Sequence, residues 1–390
     1  MKKLFALTIV LLCGYSFAQN NESTVTVNGS NNSATVNQTG ADNDNILNQT
    51  SNNTFTLQQT GNTNLSKLNQ TSPGSNEAFV EQLGNNNILA RGGNLAIQGN
   101  DNLLDLLQQG NNNEVNFYQD ARVQSAWIDQ IGDFNKVKVS QDSYGNTTDI
   151  DQVGSYNYTN VKQDNGIVGN TSISSVTGSF NGDGTTGDLW LDIIQLGSGN
   201  TASTTIEGDY NDADVKQTGD NHRSTIDIYI SSLYNIVDVI QDGGNSSRST
   251  VRIGAGESND VDITQTGNSH RSIIQIISNS DQNDVDVLQY GGNDNRSLWV
   301  MTGGSFDNTL DVEQNGNGNR ATGKIVGDFN KVDVKQQGDD NFVGTMWNAQ
   351  DGVAITGDNN FVDVDQIGTG HSSLNTITGN GNNVTVNQSN

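Results

Sequence analysis

The sequence predicts an all-β fold, a β-solenoid of stacked strand-turn-strand rungs with about 22–24 residues per rung and cross-β-like Asn/Gln ladders. Three observations predict it. The first is composition: apolar residues are 32%, while Gly numbers 44, Asn 58 and Gln 29 among 390 residues. Ordinary globular chains carry roughly 45–50% apolar residues, so a thick compact core cannot be built here. The second is a repeat that runs nearly end to end, Asn-x-apolar-x-apolar-x-Gln-x-Gly-x-x-Asn. Its alternating apolar positions give a strand with one buried face. The third is turn chemistry. Gly and Asn follow each Gln within a few residues and supply the left-handed backbone angles of a tight reversal.

Taken from the N-terminus, residues 1–18 read as a secretory signal peptide. Lys2 and Lys3 precede the apolar run Leu4 to Leu12, and Ser16 and Ala18 are the small residues a signal peptidase reads. Cys13 lies inside this segment, and Leu12 before it is too large for a lipid-attachment site. The mature chain then has no cysteine, which excludes disulfides and thiolate metal sites. Residues 19–27 read as a short lead and residues 28–390 as one solenoid, with residues 178–187 an inserted loop. Residues 83–101 and 341–355 depart from strict register. Beyond the N-terminus no apolar run reaches the length of about 18 residues that crosses a membrane. Net charge is −26, and −28 once Lys2 and Lys3 are removed. Nucleic acid and anionic membranes are therefore poor partners.

The Gln positions set the period. In the first half they recur at a spacing near eleven residues, at Gln38, Gln49, Gln59, Gln70 and Gln82, then Gln108, Gln119, Gln130, Gln141, Gln152 and Gln163. In the second half the period doubles, through Gln195, Gln217, Gln241, Gln265, Gln289, Gln314, Gln336, Gln366 and Gln388. Between these lie variant units in which Ile206, Ile230, Ile325, Ile355 and Ile377 stand where Gln stood. Two units close one rung. Rungs stacked at about 4.8 Å put Gln over Gln and Asn over Asn, and side-chain amides, being both donors and acceptors, bond along the column. A lone rung buries too little to offset its ordering entropy, so stability grows with copy number.

Three outward stripes follow from the stacking. Asp192, Asp214, Asp238, Asp262, Asp286, Asp311, Asp333 and Asp363 each sit three residues before a Gln. This acidic ladder has two readings: charge that opposes lateral association of strand faces, or a row of carboxylates binding a divalent metal such as calcium. Arg223, Arg248, Arg271, Arg296 and Arg320 form a basic stripe. It reads as solvated charge or as a contact for polysaccharide or a partner. Phe134, Tyr156, Phe180, Tyr210, Tyr234 and Phe329 recur in one set of turns, as structural stacking or as a grip for sugars. His222, His270 and His371 read as turn residues, the first two being two rungs apart and too distant to share a metal. No catalytic constellation and no phosphate loop is visible, so an enzyme and a bound cofactor are not expected.

The unit resembles the repeat of the curlins, the subunits of bacterial curli amyloid fibres. Gln59-x-Gly61-x2-Asn64-x-Ser66-x3-Gln70 follows that repeat closely, as do the sets Gln38, Gly40, Asn43, Gln49 and Gln152, Gly154, Asn157, Gln163. Asn32 and Asn53 stand where the curlin repeat opens with Ser. The resemblance implies a secreted structural protein that self-assembles into extracellular, cell-surface fibres of a Gram-negative bacterium, for adhesion and biofilm matrix. As partners it implies copies of itself, a curlin nucleator, a curli-type outer-membrane secretion pore and a periplasmic chaperone. The alternative is a soluble monomeric β-solenoid adhesin that binds glycan or a divalent cation through its surface ladders.

Overall fold

The computed structural model describes residues 20–71, 74–89, 96–164, 166–182, 191–277, 280–344 and 352–390. The signal-peptide reading of residues 1–18 lies outside them, as do residues 183–187 of the expected loop.

Alternation in the sequence becomes alternation in burial. In the strand Lys136–Asp142, Val137, Val139 and Gln141 are buried and the residues between them face outward. The chain coils so that consecutive strands fall on opposite sides of a thin core. Val137 and Val139 line one wall, Ala126 and Ile128 the other. Among the described residues every pairing between strands is parallel. Each strand pairs with its equivalents one rung away, so neither sheet closes on itself. The result is a β-solenoid with two facing sheets and no helix among the described residues.

The first sheet starts with Glu22–Val27, inside the segment read as a lead, and ends with Asn383–Ser389. The second starts with Ser33–Thr39 and ends with Asn375–Thr378. Some tiers are split in two. Ile88–Leu89 and Ala96–Gln98 share one, and Phe342–Val343 and Val353–Thr356 share another. These splits fall within the two stretches expected to leave strict register, and residues 90–95 and 345–351 between the segments lie outside the described residues. Counted by tier among the described residues, the first sheet has sixteen and the second fifteen.

One sequence assignment needs correction. Ile230 does not stand in the column with Ile206; Ile228 does. The strand Arg223–Leu233 is longer than its neighbours, and a bulge after Ile206 shifts the register by two residues before Gly208 meets Ser232. Counting back from the following turn therefore lands two positions late.

The corners are where composition is most constrained. Gly132 has φ +119°, and a Cβ on it would lie 1.9 Å from the carbonyl oxygen of Gly154 in the next rung. Gly154 stands in the same relation to Gly178, at 1.8 Å. Only hydrogen fits, because the corner backbones of successive rungs touch there.

Gly304 provides the contrast, having φ +77° and no atom within 4 Å of the place a Cβ would take. We expect Gly304→Ala to cost only the backbone term, about 1 kcal/mol. Gly132→Ala carries the collision as well and should cost several-fold more, read as the drop in urea midpoint of each variant.

Candidate functional site

The interior is built from amide relays. In the first sheet Gln119, Gln141, Gln163, Gln195, Gln217, Gln241, Gln265, Gln289, Gln314, Gln336, Gln366 and Gln388 form an unbroken column. Each Nε2 donates to the Oε1 of the next at 2.7–2.9 Å. In the second sheet Gln38, Gln59, Gln82, Gln108, Gln130 and Gln152 form another, at 2.8–3.0 Å. Each amide also reaches across the core. Gln217 Nε2 donates to the Thr201 carbonyl at 3.1 Å, and Gln141 Nε2 to that of Ser125 at 3.1 Å. One side chain thus ties together two rungs and two sheets.

After Gln152 the second-sheet column turns aliphatic, through Val176, Ile206, Ile228, Ile253, Ile276, Met301, Ile325, Ile355 and Ile377. The first-sheet column has one interruption, where Ile97 stands between Gln70 and Gln119. Above it Gln119 Oε1 is buried with no donor. Gln49 Oε1 has the same fault, because Val27 stands before it.

A second relay runs along one corner. Asn135 accepts on Oδ1 from the Asn157 backbone N–H at 3.1 Å, and its Nδ2 donates to the Gly154 carbonyl at 2.9 Å. The same contact recurs from Asn43 to Asn382. In the opposite corner the histidines take the Asn place. His222 N–H donates to Asn200 Oδ1 at 2.9 Å, and His222 Nδ1 accepts from Ser247 N–H at 3.2 Å. His270 Nδ1 accepts from Asn295 N–H at 3.3 Å, which leaves its proton on Nε2, 3.1 Å from the Thr266 carbonyl. His371 is placed alike, its N–H donating to Asn341 Oδ1 at 3.1 Å. Burial holds His222 and His270 below the usual imidazole range. The turn reading of these residues omits their part as ladder acceptors. The available signal is the interchange of His with Asn just before Arg, as in His222-Arg223 and Asn295-Arg296.

Outside, the acidic positions fall in one column. Asp214, Asp238, Asp262, Asp286, Asp311, Asp333 and Asp363 are partners in successive registers, and Asp192 N–H donates to Asp214 Oδ1 at 2.7 Å. Burial first, and the neighbouring carboxylates next, push Asp262 up to about 6. Burial and Asp212 push Asp214 up to about 8. The column brings one carboxylate per rung, and among the described residues no group of three or more His, Cys, Asp or Glu could hold a metal ion. On the second sheet Arg223, Arg248, Arg271, Arg296 and Arg320 are aligned in register, with Arg320 also 5.7 Å from the Phe342 ring.

Five of the six turn aromatics form a continuous stack. Phe134, Tyr156, Phe180, Tyr210 and Tyr234 lie 4.8–5.0 Å apart, nearly parallel. All five have φ between +56° and +61°, where a bulky side chain is strained. Stacking returns about 0.5–1.5 kcal/mol per pair, comparable with that strain. Phe329 stands apart, because Ser258, Gln282 and Asp307 take the corner position between it and Tyr234.

Compared with known families, the chain matches the curlin associated repeat over residues 190–219, 307–343 and 357–389. No curated protein matches it.

The relay and the acidic column each make a measurable difference to stability. Gln241→Ile keeps the apolar volume but leaves Gln265 Oε1 buried without its donor, as Ile97 leaves Gln119; it should cost about 1–3 kcal/mol in a urea titration. The acidic column acts through pH. A carboxyl whose folded pKa is raised contributes stability below its unfolded pKa and loses it as pH rises through the folded value. Asp214 therefore makes stability fall as pH rises from about 4 to its folded value of about 8. His222 and His270, with lowered pKa values, act in the opposite sense and cost stability as pH falls below about 6.5. The part of the Asp214 decline above about pH 6.5 is thus clear of the histidines. Asp214→Asn should flatten the fall in urea midpoint over that upper part; an unchanged slope would count against this assignment.

Proposed function

From the curlin associated repeats in three stretches of the chain, we propose that this protein is a secreted structural subunit that polymerises end on into curli-like extracellular fibres. Both the family and the solenoid fold point to a structural, non-enzymatic role. The observation that carries the reading is the state of the two ends. Interior strands are paired on both sides. Among the described residues Glu22–Val27 and Asn383–Ser389 each have a strand partner on one side only. An open strand edge of this kind templates another copy of the same repeat. Each added rung finds amide and aliphatic columns already in place, so growth repeats the contacts that hold the interior together.

On this reading adhesion and biofilm matrix are the uses of the fibre, at the surface of a Gram-negative cell. A nucleator, an outer-membrane pore and a periplasmic chaperone are its expected partners. The acidic column keeps neighbouring fibres apart through like charge.

The test is seeded growth of purified chain, followed by a cross-β-binding dye. The expected result is a concentration-dependent lag that preformed fragments abolish. Chain that stays monomeric at high concentration, at neutral and mildly acidic pH, overturns the proposal.

A further inference from the structure

The two sheets do not end level, and this offset specifies how two copies meet. Among the described residues the first sheet has one tier more than the second, its last strand Asn383–Ser389 having no partner strand in its own rung. Suppose one whole copy is laid on another. Glu22–Val27 then falls on Asn383–Ser389, and the second sheet has a vacant tier between Asn375–Thr378 and Ser33–Thr39. A gap of about 4.8 Å would run through every joint, with unpaired backbone on both sides.

We propose that copies join by strand exchange instead: Asn383–Ser389 of one copy takes the place of Glu22–Val27 in the next. This deepens the assembly reading and rests on it. With the exchange, Asn375–Thr378 and Ser33–Thr39 become neighbours and the vacant tier disappears.

Side chains at the joint favour the exchange. Val27 is the partner of Gln49, and Gln388 holds the equivalent place in its own strand as partner of Gln366. Gln49 Oε1 is fully buried and lacks a donor. Gln366 splits its amide between the Phe342 carbonyl at 3.0 Å and Gln388 Oε1 at 2.8 Å. Gln388 makes the first kind of bond, to Ser372 O at 3.0 Å. Its second acceptor would belong to the next tier. Exchange supplies that acceptor as Gln49 Oε1, and the first-sheet relay crosses the joint.

The corner relay continues as well. Asn43 donates through its backbone N–H and Nδ2 to Asn21 Oδ1, both at 3.1 Å. Asn382 precedes its strand as Asn21 precedes Glu22, and its Oδ1 takes over both bonds. Val384 and Val386 replace Ser23 and Val25 on the inner face. The exchange gives up the bonds from Asn45 Nδ2 to Ser23 Oγ and from Asn21 Nδ2 to the Gly40 carbonyl, both at 3.0 Å. The strand that leaves is weakly held, with Val25 40% and Val27 47% exposed.

Cysteine pairs read the register directly. In the exchanged joint Thr385 lies one rung from Ile46 of the next copy, about 4.8 Å, within disulfide reach. In plain stacking Thr385 lies one rung from Thr24, and Ile46 is about 10 Å away, out of reach. Ile46 and Thr385 face outward, and Thr24 is the register partner of Ile46, so the substitutions leave the core intact. The full chain carrying Cys13→Ser is made with Thr385→Cys/Ile46→Cys or with Thr385→Cys/Thr24→Cys. Fibres are oxidised and run on a non-reducing denaturing gel. We expect intermolecular ladders from the Ile46 pair and none from the Thr24 pair. Ladders from the Thr24 pair, or none from the Ile46 pair, overturn the exchange while fibre growth still stands. Absence of fibres from the Cys13→Ser chain itself overturns the assembly reading and the exchange with it.

Discussion

The molecule depends on one condition: a buried amide must meet another amide one rung away. An unpaired polar group inside the core costs about 1–3 kcal/mol, and the core contains a Gln or Asn at almost every turn of the coil. Register is therefore not a by-product of strand pairing. A slip of one residue would turn the Gln columns to the outside, and a slip of two would set Gln against Val. Parallel stacking satisfies them together along each unbroken column, because every Nε2 there has an Oε1 at the rise of the sheet. The relay tolerates apolar neighbours only where the column ends or is cut, and the cost is visible at Gln49 and Gln119, whose acceptors have no donor.

The outer faces obey a different balance. On the same rungs one sheet shows a row of Asp and the other a row of Arg, for example Asp262 and Asp286 against Arg271 and Arg296. Like charges at this spacing repel within each row. The row persists because the interior fixes the rise, and part of the repulsion is relieved at Asp214, whose carboxyl burial and Asp212 push up to about 8. Two ion pairs, Arg252 with Asp227 at 3.2 Å and Lys335 with Glu313 at 3.0 Å, cross between rungs at partly exposed positions on the surface, where such pairs contribute little.

Most of this architecture is legible in the sequence, because a solenoid converts sequence spacing directly into spatial columns. The acidic, basic and aromatic rows can be written down from spacing alone, and the structure aligns the first two in register. Spacing does not show which sheet each Gln joins. Gln130 and Gln141 look like consecutive members of one series, yet they belong to opposite walls. Spacing also fails at Ile230, where a bulge inserts two residues, and at Phe329, where the intervening corners carry no ring to stack on. The histidines read in sequence as turn residues only. Their acceptor geometry depends on a ring nitrogen meeting a backbone N–H from the next rung, a contact about 25 residues distant in the chain.

Gly132 touching Gly154 has a consequence for how such a chain can change in length. Successive Gln partners are separated by as few as 21 residues and as many as 32, so extra residues are absorbed outside the strands. A corner glycine, by contrast, lies directly against a backbone carbonyl of the next coil, as Gly132 does against Gly154 and Gly208 against Ser232. Losing part of a coil would set that carbonyl against a side chain. Duplication or deletion of complete coils preserves every such meeting, so lengthening by genetic duplication is the route this geometry leaves open.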